Sequence, residues 1–173
     1  MGHADSIVLP FGKDDKVLEL GGDVNAPTFR PNFNMVAGPA VDKVCDLNEA
    51  IPAGDQEFDH VFGSYVIEHI RTLKIKGFIA ELLRVIKPGG YAFMLTSNLY
   101  AMAQKLAGKD PATWDEDDIC MVFAGKPDEP GNYHHTGFSP QYAMRLFQAA
   151  GFREVQIFEH PNCVTDMIIQ ARR

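Results

Sequence analysis

Glu19-Leu20-Gly21-Gly22-Asp23 sets two glycines between two carboxylates. Such a turn can cradle a nucleoside-like ligand, because glycine reaches φ > 0 and lets a ligand approach the backbone with no Cβ in the way. An acid beside it can accept hydrogen bonds from an ammonium or a ribose. A buried strand ending in a glycine turn is also ordinary architecture, so the neighbouring residues decide. Asp46-Leu47 and Ser64-Tyr65 follow other short apolar runs, and Glu68-His69 and His134-His135 add imidazoles that exchange protons near neutral pH. His60 and His160 fall within or just after strand-like runs and read as structural. No third ligand stands at a helpful spacing from Glu68-His69, so no metal site is expected there.

The elements that must position these residues alternate between strand-like and helix-like patterns, as expected of a parallel α/β sheet. Strands are predicted at Lys16 to Leu20, Phe33 to Val36, Val41 to Cys45, His60 to Ser64 and Tyr91 to Thr96. Ile75, Phe78, Ile79, Leu82, Leu83 and Ile86 recur at helical spacing, predicting a helix between Leu73 and Lys87 with one apolar face. Pro88-Gly89-Gly90 stops it. A second helix is punctuated by Ser139 as N-cap, Pro140 in the first turn and Gly151 after the last periodic residue, with Tyr142, Leu146, Phe147 and Ala150 as its buried face. Glu154 to Phe158 and Thr165 to Ala171 then predict an antiparallel hairpin at one edge of the sheet. In an open parallel sheet, ligands bind beyond the C-terminal strand ends near the point where strand order reverses. That rule lines Gly21, Gly22, Asp23, Asp46, Ser64 and Tyr65 along one rim.

At 173 residues and 46% hydrophobic, the chain fits one domain with a substantial core. Between Ser97 and Thr136 lies a long interval with a short helical piece at Leu99 to Leu106, the acidic run Trp114 to Asp118 and the Pro/Gly-rich stretch Gly125 to Gly131. Residues 97–137 are therefore expected to be a lid or substrate-facing insertion, and the acidic run a solvated face. A net charge of −7 argues against a nucleic-acid partner held on a broad basic footprint. Cys45, Cys120 and Cys163 are odd in number and widely spaced, predicting free thiols in a reducing compartment, the cytoplasm. No apolar stretch approaches the length of a membrane span.

The ordered set Val17 to Asp23, Asp42 to Asn48, Phe58-Asp59-His60-Val61-Phe62-Gly63-Ser64, Ile67-Glu68-His69 and Leu82-Leu83-Arg84-Val85-Ile86-Lys87-Pro88-Gly89-Gly90 resembles the class I S-adenosylmethionine-dependent methyltransferases of the type 11 group. The resemblance runs from about Lys16 to the end of the chain and takes in Gly137-Phe138-Ser139-Pro140 and Ala150-Gly151-Phe152. It implies a doubly wound, mostly parallel, seven-stranded Rossmann-like sheet with an antiparallel C-terminal hairpin, and S-adenosyl-L-methionine as cofactor. It further implies that Glu19, Gly21 and Gly22 lie at the cofactor's methionine end, that Asp46 and Leu47 border its adenine, and that Ser64 and Tyr65 stand beside the sulfonium. Asp46 as a plain turn acid and Ser64 as a solvated strand end remain alternatives.

Two departures stand out. The family's Gly-x-Gly becomes Gly-Gly-Asp here, and the acid that closes the second strand and grips the ribose hydroxyls is replaced by Asn34. An amide oxygen accepts one hydrogen bond but lacks the charged, two-hydroxyl grip of a carboxylate, so weaker cofactor binding is expected. Pro27 and Pro31 also predict a first crossover trimmed from helix to loop. Methyl transfer from a sulfonium is an in-line displacement that needs alignment rather than a protein nucleophile. Where the acceptor carries a proton, His69, His134 and His135 are the candidate bases. The leading expectation is an enzyme methylating a small molecule. The alternative is a catalytically silent module that keeps the fold to bind a partner, and a nicotinamide-dependent oxidoreductase is disfavoured by the lack of G-x-G-x-x-G.

Overall fold

Short apolar runs, too brief to form helices, become the parallel strands of one sheet. In the computed structural model, which describes residues 7–115, 118 and 133–173, these are β1 (Val17–Leu20), β2 (Asn32–Asn34), β3 (Lys43–Val44), β4 (Phe58–Ser64) and β5 (Ile86–Ser97). The helices are α1 (Ile75–Val85), α2 (Leu99–Ala107) and α3 (Pro140–Ala150), and the chain closes with β6 (Glu154–His160) and β7 (Cys163–Arg172). The strand order is β3-β2-β1-β4-β5-β7-β6. β7 runs antiparallel to both β5 and β6, and the remaining pairs are parallel. The order reverses between β1 and β4, which opens the crevice where the site lies.

The helix ends follow their punctuation. Ser139 Oγ accepts from Tyr142 N–H at the start of α3, and Gly151 ends it in the left-handed region at φ 108°. Of the face expected for this helix, Leu146 and Phe147 are buried together with Ala143, while Tyr142 and Ala150 pack against the core half-exposed. β5 begins earlier than expected, at Ile86, because Ile86 pairs with Phe58 ahead of a bulge. Pro88-Gly89-Gly90 is thus a kinked strand entry; at Gly90 a Cβ would stand 1.9 Å from the Asp59 carbonyl oxygen, so only glycine fits. β2 and β3 are shorter than expected, and Met35 and Val36 leave the sheet to become exposed.

The two faces of the sheet are covered by different means. Leu18, Leu20, Val61, Met94 and Ile169 pack in one core with Phe78, Ile79, Leu82 of α1 and Leu146, Phe147 of α3. Val17, Phe62, Phe93, Leu95 and Ile168 form the other core, closed by Ile7, Leu9, Phe11 and Phe29. A parallel sheet must be covered on both faces. With no helix between β1 and β2, aromatic contacts replace it: Phe11 meets Phe29 at 5.7 Å and Phe29 meets Phe62 at 5.3 Å between ring centroids. His60 belongs to this face. Its Nδ1 accepts from Tyr91 N–H, so the proton sits on Nε2 and is donated to Asp15 at 2.9 Å.

After α2 the chain makes a short 3-10 turn at Pro111–Thr113. In the acidic run, Trp114 and Asp115 are exposed and Asp118 pairs with Lys109 Nζ at 2.5 Å. Glu116, Asp117, Cys120 and Gly125 to Gly131 lie outside the described residues. Among the described residues, no helix is long and apolar enough to cross a membrane.

Candidate active site

At the strand-order reversal lies a cavity of ≈ 510 Å³ lined by residues from five segments: Gly21; Asn34, Met35 and Val36; Asp46, Leu47 and Asn48; Tyr65, Val66, His69, Ile70 and Arg71; and Tyr133 and His135. This is the size range of small-molecule and cofactor sites. Its floor requires glycine: Gly21 has φ 66°, and a Cβ there would stand 2.7 Å from Val66 Cγ2. Gly21 N–H is spent on the Phe33 carbonyl.

The turn is braced by two asparagines. Asn32 is fully buried; its Oδ1 accepts from Gly22 N–H at 3.1 Å while its Nδ2 donates to the carbonyls of Asp23 and Ala40. Asn34 Nδ2 donates to the Gly22 carbonyl at 2.7 Å, and Asn34 Oδ1 accepts from Val36 N–H. Asp46 sits at the rim. Its Oδ1 accepts from the backbone and side-chain amides of Asn48, which hold its carboxyl below the usual range and keep it ionised, with Oδ2 unpartnered among the described residues.

Of the site residues named from the sequence, Gly21, Asn34, Asp46, Leu47, Tyr65, His69 and His135 line the cavity. Four expected cofactor residues do not. Glu19 is buried and turned toward the first crossover, where Oε2 accepts from Phe29 N–H at 2.5 Å; burial pushes its pKa up. Gly22 is buried over the Glu19 carboxylate, both its backbone polar groups taken by asparagines. Asp23 Oδ1 caps Asn25 and Ala26 N–H groups. Ser64 ends β4 outside the lining. In the turn itself, the backbone groups of Gly22 and the carboxylate of Asp23 are spent within the first crossover and its asparagine braces rather than in the cleft.

Residues 133–136 fold across the turn Ile67–His69. His135 and Thr136 N–H donate to the Glu68 carbonyl at 2.8 and 3.1 Å, and Thr136 Oγ1 donates to the Ile70 carbonyl. This brings His134 edge-on to His69, ring centroids 5.2 Å apart, just outside the cavity lining. Burial and the neighbouring His69 lower the His134 pKa. Glu68 is 1% exposed and accepts from Thr96 Oγ1 at 3.0 Å. Burial pushes its pKa up to about 7, tempered by the nearby backbone amides of Glu68 and Ser97. Tyr65, at φ 52°, donates its hydroxyl to Asp166 at 2.6 Å. Burial and that carboxylate raise its pKa strongly, so it acts as a neutral donor.

Sequence reasoning missed Arg71 and Tyr133 at the cleft, and the apolar pair Met35-Val36, 54% and 58% exposed. An exposed apolar pair directly after a strand that ends at the cleft is a readable signal for a ligand-facing surface.

Residues 23–94 match the family model of the methyltransferase domain. The fold is shared with an S-adenosylmethionine-dependent methyltransferase from Archaeoglobus fulgidus, at TM-score 0.62 and 13% identity over 91% of this chain and 85% of that one. The match covers less than half of the chain, and the fold is one that S-adenosylmethionine-dependent methyltransferases share. The 1,6-didemethyltoxoflavin N1-methyltransferase of Burkholderia thailandensis, solved with its substrate and S-adenosylhomocysteine, is also similar: TM-score 0.58 and 14% identity over 92% of this chain and 71% of that one. Among curated proteins, the mitochondrial ubiquinone biosynthesis O-methyltransferase of Mus musculus is 38% identical over 85 residues, 43% of this chain and 22% of that protein. The matched region thus spans about a fifth of the curated relatives' length. The cofactor fits the cleft's donor set: a glycine floor with no room for a Cβ, an ionised rim acid whose Oδ2 has no partner among the described residues, and apolar Leu47, Met35 and Val36 lining the same cavity.

Proposed function

We propose that this chain moves a methyl group from S-adenosyl-L-methionine to a small-molecule acceptor held between the cofactor cleft and residues 133–136. The observation that carries this reading is the Gly21 turn at φ 66°, set at the strand-order reversal and lining one cavity together with Asn34, Asp46 and Leu47. In this reading Asp46 Oδ2 accepts from the adenine amine, Leu47 and Met35-Val36 cover the ring, and Asn34 meets the ribose with what its amide has left. The cofactor supplies an activated methyl group on a sulfonium. The protein's own work is alignment. Tyr65 donates to Asp166 and holds the wall of β4, and the proton acceptor for a protonated nucleophile comes from His69, His134 and His135.

A small acceptor is supported by the Burkholderia and mouse relatives, which act on small molecules, and by the charge of −7, which disfavours nucleic acid. Free Cys45 and Cys163 accord with a reducing, cytoplasmic setting. Calorimetry with S-adenosylmethionine and S-adenosylhomocysteine tests the reading: micromolar to submillimolar binding of both is expected, and no heat with either at millimolar ligand overturns it. The replacement of the ribose acid by Asn34, whose amide is engaged in the turn, favours a second reading, a silent module. Binding of both ligands with no methyl transfer to any of a panel of phenols, amines and thiols selects that alternative.

A further inference from the structure

We propose that Glu68, His69 and His134 form a three-ligand site for a divalent transition-metal ion at the acceptor side of the cleft. One donor atom from each lies within 4.8 Å of the other two. Bonds of about 2.0–2.2 Å to such an ion ask these donors to close somewhat further, which small side-chain rotations supply.

Three independent observations support the assignment. Glu68 is 1% exposed, and its Oε1 has no hydrogen-bond partner among the described residues. An uncompensated buried carboxylate oxygen is costly, and a cation is among the few partners that offset it. His69 Nδ1 lies 2.8 Å from the Tyr133 carbonyl oxygen. A carbonyl only accepts, so Nδ1 carries the proton and the Nε2 lone pair is bare, the tautomer that a second-shell carbonyl imposes on a metal-binding histidine. His134, finally, is held in register by backbone bonds from His135 and Thr136 to the Glu68 carbonyl and by Thr136 Oγ1 to the Ile70 carbonyl. The third donor is therefore fixed against the first two. Asp166, 8% exposed and joined to Tyr65, adds negative charge nearby.

Two imidazoles and one carboxylate select a borderline ion such as Zn²⁺, Mn²⁺, Fe²⁺ or Co²⁺ over Mg²⁺ or Ca²⁺, which prefer all-oxygen sets. Three protein ligands leave a coordination position open. His69 lines the cavity, so that position faces the acceptor. Resting on the methyltransferase reading, the ion would fix a hydroxyl-bearing acceptor through its oxygen and make that hydroxyl more acidic; the proton would pass to His135, which lines the cavity and is not a ligand, while His69 and His134 hold the ion.

The test is titration of the tag-free, chelator-treated chain with Co²⁺, read by its visible absorption, followed by Zn²⁺ competition. A saturable spectrum displaced by Zn²⁺ but not by Mg²⁺ is expected. Glu68→Gln and His134→Ala, each checked for native circular dichroism, should weaken the ion by more than about tenfold, and His135→Ala should keep the spectrum. No saturable spectrum at millimolar Co²⁺, displacement by Mg²⁺, or wild-type affinity in a folded His134→Ala chain overturns the proposal. Should His134→Ala fail to fold, the near-isosteric Glu68→Gln alone decides. Calorimetry with S-adenosylhomocysteine, run in parallel, separates the two readings: cofactor binding without an ion overturns the metal site alone, and an ion without cofactor binding overturns the methyltransferase reading and the acceptor role with it, leaving the metal site standing.

Discussion

The side-chain amide of Asn34, at the end of β2, donates a 2.7 Å hydrogen bond to the carbonyl of Gly22 and so holds the glycine turn in shape. Placing an acid here is therefore not a simple gain. Asn34→Asp removes the donor and sets a carboxylate against a carbonyl, leaving a buried acceptor unpaired. A stability loss of about 1–3 kcal/mol is expected, measured by urea denaturation. Unchanged stability with tighter cofactor binding would show that the brace is dispensable.

Asp46 is ionised at the rim, and its Oδ2 has no partner among the described residues. Asp46→Asn should weaken S-adenosylmethionine and S-adenosylhomocysteine alike by about 1–2 kcal/mol, the loss of one charge-assisted hydrogen bond. Calorimetry checks it; an unchanged affinity removes Asp46 from the site.

Gly21 is constrained twice, by φ 66° and by Val66 at 2.7 Å from the position of a Cβ. Gly21→Ala should cost about 1–2 kcal/mol for the left-handed backbone and about 1–3 kcal/mol for overpacking. Adding Val66→Ala should recover only the second part, relative to Val66→Ala alone. Full recovery in the double variant, read from denaturation midpoints, would show that the backbone is unstrained.

Arg84 ties α1 to the segment before β4. Its guanidinium makes two bonds to Glu81 and one each to the carbonyls of Ala53 and Ile51 and to Asp55, and Glu81 Oε2 also accepts from Ile51 N–H. The Arg84 hydrogen bonds hold the Glu81 carboxyl below its ordinary value. A depressed folded pKa means that the unfolded chain takes up the proton first, so the stabilisation is whole above the unfolded value of about 4.5 and fades as pH falls through the folded one. Glu81→Gln should therefore flatten the acid limb of the stability profile below about pH 4.5 and leave its slope near neutrality alone. An identical acid limb in both proteins would assign the effect to other carboxylates.

The legible parts of this molecule are those whose cause is local. α1 follows from its apolar period, α3 from Ser139, Pro140 and Gly151, and the trimmed crossover from Pro27 and Pro31. Direction within a turn was not legible. Val17 to Leu20 is buried throughout, so no alternation reports that Glu19 faces the Phe29 amide on the far side of the sheet. Nor does spacing reveal that His134 meets Glu68 and His69, since that contact depends on backbone bonds made by residues 135 and 136 across the fold. The early start of β5 was hidden because Pro-Gly-Gly reads as a stop, while a close backbone approach to Asp59 uses the same glycines to kink a strand.

Covering one sheet face with Phe11 and Phe29 instead of a helix joins two segments that would otherwise vary independently. Each ring is half of one lid over Phe62 and Phe93. Insertions and deletions between β1 and β2 are thereby coupled to the length and hydrophobicity of the chain before β1, and a graft that restores the missing helix would have to displace residues 7–11 to find room.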